Sequence, residues 1–185
     1  MNLQAPRARS AAVERNLRAA AGWALAGVGH AVYAPLAFGF SVVLGAGFSL
    51  VTLGLLAAAA GTATLSTRGR GLLALGLAFA AAGYIAGTLD VLSGPGLYKA
   101  GFLLLTAGVL QGAWFAVLWN LDAEPRDAAR AASLRLSAVA CCLGAGWFLA
   151  LNLADALPLW GLGSALLVLG FALVAREFGP PPAGS

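Results

Sequence analysis

Between Ala19 and Thr67 the chain carries no Asp, Glu, Lys or Arg, and His30 is the one titratable base in that run. A single membrane crossing takes about 20 apolar residues. The run is therefore too long for one helix and about right for two joined by a tight turn. The turn is expected near Gly39 to Gly47, where Gly39, Gly45 and Gly47 give the backbone freedom. The first two helices then cover about 18–40 and 46–65.

The rest of the chain continues the pattern. Apolar residues make up 61% and charged residues 10%, whereas a water-soluble domain is nearer half apolar and a quarter charged. So few charges cannot cover a soluble surface, and lipid becomes the natural solvent. Arg68 and Arg70 are expected to close the second helix. Further helices follow over about 71–92, 97–121, 134–153 and 159–175. Ser93-Gly94-Pro95-Gly96 and 154–158 serve as turns. The polar stretch from Asp122 to Arg135, with Pro125 suited to a first helical position, reads as an extension leading into the fifth helix. The expected fold is all-α: a polytopic membrane protein of six transmembrane helices arranged as three repeated helical hairpins. Residues 1–18 form a cytoplasmic basic tail, 19–176 the transmembrane domain, and 177–185, with Pro180, Pro181 and Pro182, a disordered cytoplasmic tail.

Orientation follows from the basic residues. With the N-terminus inside, the inner segments hold Arg7, Arg9, Arg15, Arg18, Arg68, Arg70, Arg126, Arg130, Arg135 and Arg176, and the outer turns hold only Lys99. Trp23 and Trp119 fall near the inner interface and Tyr98 and Trp160 near the outer one. Both termini are thus expected in the cytoplasm. The basic residues cluster at the ends of apolar runs, so they read as topology signals and not as a nucleic-acid surface. The start of the chain reads as an uncleaved first helix, because the apolar run continues past any signal-peptide cleavage site.

The even-numbered helices open alike. The second reads Gly47-Phe-Ser-Leu-Val-Thr-Leu-Gly54, the fourth Gly101-Phe-Leu-Leu-Leu-Thr-Ala-Gly108, and the sixth Gly163-Ser-Ala-Leu-Leu-Val-Leu-Gly170. Glycines seven apart share a helical face and admit a neighbouring backbone. Their recurrence after 54 and then 62 residues suggests repeated hairpins. Gly83-x-x-x-Gly87 and Gly108-x-x-x-Gly112 are further helix-contact motifs. Three hairpins in 185 residues, with Gly-rich even helices of the form Gly-Phe-Leu-Leu-Leu-Thr-Ala-Gly-Val-Leu-Gln, resemble the HdeD family of small bacterial inner-membrane proteins over residues 19–176. The proline that often marks the outer turns of that family is lacking at the first turn. The resemblance implies a bacterial inner-membrane location, a link with acid stress, and no established catalytic residues.

Polar groups inside a bilayer are the natural site candidates. His30 lies about twelve residues into the first helix, ~18 Å deep at 1.5 Å per residue. Gln111 is at similar depth in the fourth. One reading pairs them in a polar cavity, with His30 proton-sensitive or ligand-binding. The plainer one makes His30 a neutral imidazole bonded to a carbonyl or hydroxyl. Asp90, Lys99, Asn152 and Asp155 gather toward the outer face, either as a solute-binding mouth or as solvated turn residues with an Asp90–Lys99 pair. Cys141 and Cys142 are adjacent in an apolar run and read as small fillers, since neighbours on a helix point roughly 100° apart. No Cys/His spacing for zinc or iron is present, and a lone His cannot supply two haem ligands. No cofactor is expected. The motifs of serine hydrolases, zinc proteases and phosphate-cradling loops are absent.

Two classes of function follow. The first is a non-catalytic membrane protein, an accessory or scaffold subunit or an HdeD-like stress factor. It predicts a packed bundle without a sizeable cavity, whose Gly and Ala stripes face lipid, partner subunits or a second copy. The second is a small-solute-binding protein or transporter component. Its length and six helices resemble the substrate-binding subunits of energy-coupling-factor transporters, with Ala20-x-x-x-Ala24 matching their small-residue pattern. That class predicts an outer pocket lined by Trp, Asn and Asp.

Overall fold

The computed structural model describes residues 4–64, 66–93, 96–121 and 127–178, and their side chains except for 4–12, 119–121 and 127. Within these residues the chain is all-helical: α1 (Gln4–Phe38), α2 (Val42–Ala63), α3 (Thr67–Leu92), α4 (Tyr98–Leu121), α5 (Asp127–Ala154) and α6 (Pro158–Glu177). Gly94, Pro95, Asp122, Pro125, Arg126 and the tail from residue 179, along with the side chains of Arg7, Arg9, Trp119 and Asn120, lie outside the described residues.

The helix ends differ from expectation in instructive ways. α1 begins at Gln4, so most of the basic segment through Arg18 is helical and continuous with the first apolar helix. Its Ala, Arg, Glu and Leu are good helix formers, and Glu14 and Arg18 pair one turn apart. The first turn is shorter than Gly39 to Gly47. Ser41 caps α2 by accepting from the Leu44 amide at 3.3 Å, and Gly45 and Gly47 fall inside the helix. Arg68 and Arg70 do not close α2. They lie in the first turn of α3, because Ser66 caps that helix through the Gly69 amide at 3.1 Å. At the other end of the chain, Pro158 occupies the first turn of α6.

Five helices, α2 to α6, are long and apolar enough to cross a membrane. The 22 residues of α2 span ~33 Å at 1.5 Å each, matching a hydrocarbon core of about 30 Å. Val42, Leu53, Leu75, Leu89, Leu103, Leu143 and Leu169 are among many large apolar side chains left exposed. A surface so continuously apolar is suited to acyl chains and not to water. The chain is a multi-pass membrane protein. α1, at 35 residues, is longer than the others, but its second half is built on Ala and Gly with His30, Tyr33 and Pro35 between them, so it is less apolar.

The helices form a closed ring. The backbone of each helix packs on its sequence neighbours and that of α1 on α6, while among the described residues non-neighbouring helices meet only through side chains that cross the ring. In lipid, helices associate through close packing and interhelical hydrogen bonds rather than by escaping water. Three interfaces show how. On α2 and α3, Gly47 faces the Gly83 carbonyl, and Gly54 faces Gly76 and Ala80. On α4 and α5, Gly101 faces Gly144, and Gly108 faces Ser137 and Cys141. On α6 and α1, Gly163 faces Gly29, and Gly170 faces Gly22 and Ala26. In each seam both helices contribute small residues seven apart, paired antiparallel in one register. A Cβ at Gly170 would stand 2.5 Å from the Ala26 nitrogen and the Gly22 oxygen. Gly112 continues the α4–α5 seam against Ser137, whereas Gly87 turns toward Phe102 on α4. Ser137 adds a hydrogen bond to the Gly108 carbonyl, and Thr88 on α3 bonds Thr106 on α4 at 2.7 Å.

Candidate functional site

The interior of the ring is aromatic at one end. A cavity of about 470 Å³ opens where the α1–α2, α3–α4 and α5–α6 turns meet. Tyr33 and Phe40 line it from the end of α1 and the turn beyond, Leu44 and Phe48 from α2, and Val91 from α3. Tyr98 and Phe102 come from α4, Phe148 and Asn152 from α5, and Leu157 and Trp160 from the start of α6.

These positions are fixed by the glycine seams. Leu44, Tyr98 and Trp160 each stand three residues before the first seam glycine of an even helix, and Phe48 and Phe102 directly follow theirs. Tyr33 and Phe148 stand four residues after Gly29 and Gly144 on the odd helices. Close backbone contact at the seams thus turns the larger neighbouring side chains inward. The rings meet in mixed geometries, with Phe48 and Phe102 stacked at 5.6 Å and others edge to face. Tyr33 and Trp160 lie 4.7 Å apart at 83°, and Phe102 and Phe148 5.0 Å apart at 84°. Phe40 closes on Trp160 at 5.9 Å from the mouth, where it is 79% exposed.

The walls are chemically unlike. The α2–α3–α4 side offers the apolar side chains of Leu44, Phe48, Val91 and Phe102, with the Tyr98 hydroxyl as its one polar side-chain atom among the described residues. The side where α5, α6 and α1 meet carries, beside Phe148 and Leu157, a hydrogen-bond network. Asn152 donates through Nδ2 to the Tyr33 hydroxyl at 2.8 Å and to Ser164 Oγ at 3.0 Å. Tyr33 and Ser164 bond each other, and both hydroxyls lie within reach of the Trp160 carbonyl, at 3.1 and 2.9 Å. Tyr98 donates to the exposed Asp155 carboxylate at 2.9 Å, with Asn152 Oδ1 farther away at 3.4 Å. Asn152 itself is 1% exposed, so these bonds replace the water it lacks.

His30 is buried behind this cavity. It sits against Phe48 and Tyr33, with ring centroids 5.4 and 6.1 Å away, and its Nε2 bonds the Tyr84 hydroxyl across the ring on α3. Its Nδ1 has no hydrogen-bond partner.

The structure brings together some of the residues singled out from the sequence and separates others. Asn152 lines the cavity, and Asp155 reaches its rim through Tyr98. His30 lies one layer below. Gln111 does not pair with it: the backbones of α1 and α4 do not approach, and the imidazole is taken by Tyr84. Asp90 and Lys99 are half-buried at the same end of the bundle, outside the lining, and form no salt bridge with each other. All nine glycines named from the sequence as helix contacts lie within the bundle rather than on its lipid face. Both cysteine thiols are free.

Sequence reasoning passed over Tyr33, Ser164, Phe48, Phe102 and Phe148 as site residues. The signal was present: each occupies a fixed offset from a seam glycine, and Tyr33 lies three residues, about one turn, beyond His30. Among the described residues no group of His, Cys, Asp and Glu could hold a metal ion. The arrangement is an apolar volume with a polar wall, the make-up common to small-molecule sites. No protein-family model matches the chain, and neither a curated protein nor a solved structure does.

Proposed function

We propose that the protein is a non-catalytic bacterial inner-membrane protein that binds a small, largely apolar solute in the cavity at the outer end of its bundle. The observation that carries this reading is the cavity itself, about 470 Å³ in a bundle otherwise packed backbone to backbone at its seams. Small-molecule sites fall in the range of about 300–1,000 Å³ and combine apolar walls with a few placed polar groups. Tyr33, Asn152 and Ser164 are such groups.

In this reading all six helices span the bilayer as three hairpin repeats, with α1 held by the α6 seam despite its lower hydropathy. Arg15, Arg18, Arg68, Arg70, Arg130, Arg135 and Arg176 belong to the end of the bundle opposite the cavity. By the positive-inside rule that end is cytoplasmic, so both termini are inside and the cavity opens outward. The scaffold reading asks for glycine stripes that face a partner. Here the stripes Gly47/Gly54, Gly101/Gly108 and Gly163/Gly170 are occupied by the chain's own helices, which favours the binder. The resemblance to energy-coupling-factor substrate-binding subunits makes a transporter component the natural form of such a binder.

Native mass spectrometry of protein released gently from its own membrane tests the reading. The expected result is a discrete small-molecule mass on the wild type that is absent from Leu44→Trp, whose new ring fills the cavity. Phospholipid adducts alone, or a small-molecule mass that survives Leu44→Trp, would overturn it.

A further inference from the structure

Resting on the reading of the cavity as a solute site, we infer that its occupant is an organic cation: an ammonium centre on an apolar body.

Three observations converge. Seven aromatic side chains line the cavity: Tyr33, Phe40, Phe48, Tyr98, Phe102, Phe148 and Trp160. Tyr33 with Trp160 and Phe102 with Phe148 meet edge to face, while Phe48 and Phe102 stack, so the rings enclose the space with both faces and edges. Aromatic walls of this kind attract cations through the negative faces of the rings, most strongly where water is excluded.

The hydrogen-bond network is also saturated in donors and has an acceptor left over. Both Asn152 amide hydrogens are used, on Tyr33 and Ser164. The Tyr33 and Ser164 hydroxyl hydrogens go to each other and to the Trp160 carbonyl. Tyr98 has one hydrogen, and its nearer acceptor is Asp155 at 2.9 Å, against 3.4 Å to Asn152 Oδ1. The Asn152 carbonyl oxygen is thus left weakly engaged at the cavity wall, the negative end of an amide dipole. An occupant that donates or carries positive charge completes it, whereas the donors of Asn152, Tyr33 and Ser164 are already used.

Finally, no Lys, Arg or His lines the cavity. The charged group connected to it is a carboxylate, Asp155, through the Tyr98 hydroxyl. An anion would meet aromatic faces and a carboxylate, and a cation is favoured by both. A neutral apolar molecule would fill the volume and leave the Asn152 oxygen and Asp155 unused.

The test uses a matched pair of probes on the full-length protein in detergent: benzyltrimethylammonium and its uncharged carbon isostere, neopentylbenzene. Trp160 in the wall reports occupancy by its fluorescence. The expected result is at least tenfold tighter binding of the ammonium, with the ratio between the probes reduced severalfold in Asp155→Asn. Asn can still accept from Tyr98, so that variant keeps the local structure. Equal affinities, or tighter binding of the hydrocarbon, overturn the cation inference and leave the solute-binding reading intact. Failure of both probes to bind, where Leu44→Trp also changes nothing, overturns both.

Discussion

Asn152 on α5 donates to the hydroxyl of Tyr33 on α1 at 2.8 Å, joining two helices that flank α6 and whose backbones do not pack together. The same amide reaches Ser164 on α6, so one side chain ties three helices at the cavity wall. Replacement by Leu removes both bonds but leaves Tyr33 and Ser164 bonded to each other. Interhelical hydrogen bonds in membrane proteins average about 0.6 kcal/mol. Asn152→Leu should therefore lower stability by about 1 kcal/mol, read as a small fall in melting temperature in detergent, while abolishing the bound small-molecule mass. A large loss of fold would mean that Asn152 is primarily structural.

His30 and Tyr84 each follow a seam glycine, Gly29 and Gly83, and bond each other across the ring. Tyr84→Phe strands His30 Nε2 beside an Nδ1 already without a partner. A buried polar group left unpaired costs ~1–3 kcal/mol, whereas replacing both members by apolar groups of similar shape is nearly neutral. Thermal unfolding should show Tyr84→Phe less stable than the double variant His30→Phe/Tyr84→Phe. The reverse order would show that the pair is not coupled.

The seams make an opposite pair of predictions for glycine. At Gly170 an added side chain meets backbone at 2.5 Å, whereas at Gly146 it meets nothing within 4 Å. Gly170→Val should destabilise by about 1–3 kcal/mol, as overpacking does. Gly146→Ala should stabilise by roughly 0.5–1 kcal/mol, because glycine is a poor residue for a helix interior. Guanidinium or thermal titration of both variants checks the contrast, and equal responses would remove the seams as the source of ring closure.

Orientation has its own readout. With Cys141 and Cys142 replaced by Ala, a cysteine at Lys99 should react with an impermeant maleimide added outside intact cells. A cysteine at Arg70 should react only after the membrane is opened. The opposite pattern would put the cavity mouth on the cytoplasmic side.

How much of this was legible beforehand differs by level. The helical, multi-pass architecture was written in the uncharged run from Ala19 to Thr67 and its successors, because a bilayer leaves an apolar chain few alternatives to helices that satisfy their own backbone. The helix starts were harder to read. Ser41 and Ser66 set them through capping bonds; Gly39 lies in the first turn as expected, while Gly45, Gly47, Arg68 and Arg70 lie inside the helices that follow.

By itself, the sequence determined that lipid is the solvent, where the apolar helices run, and that Gly47/Gly54, Gly101/Gly108 and Gly163/Gly170 are contact faces. Those are local properties: length, hydropathy and a seven-residue spacing act within one helix. Only the tertiary structure decided what the faces contact and what the polar residues do. Closing the ring through Gly22, Gly29, Gly163 and Gly170 carries Tyr33 to Asn152, 119 residues away in the chain, and His30 to Tyr84 rather than Gln111. A hydrogen bond depends on positions to within tenths of an ångström, and no spacing along one helix specifies the rotation of another about its axis.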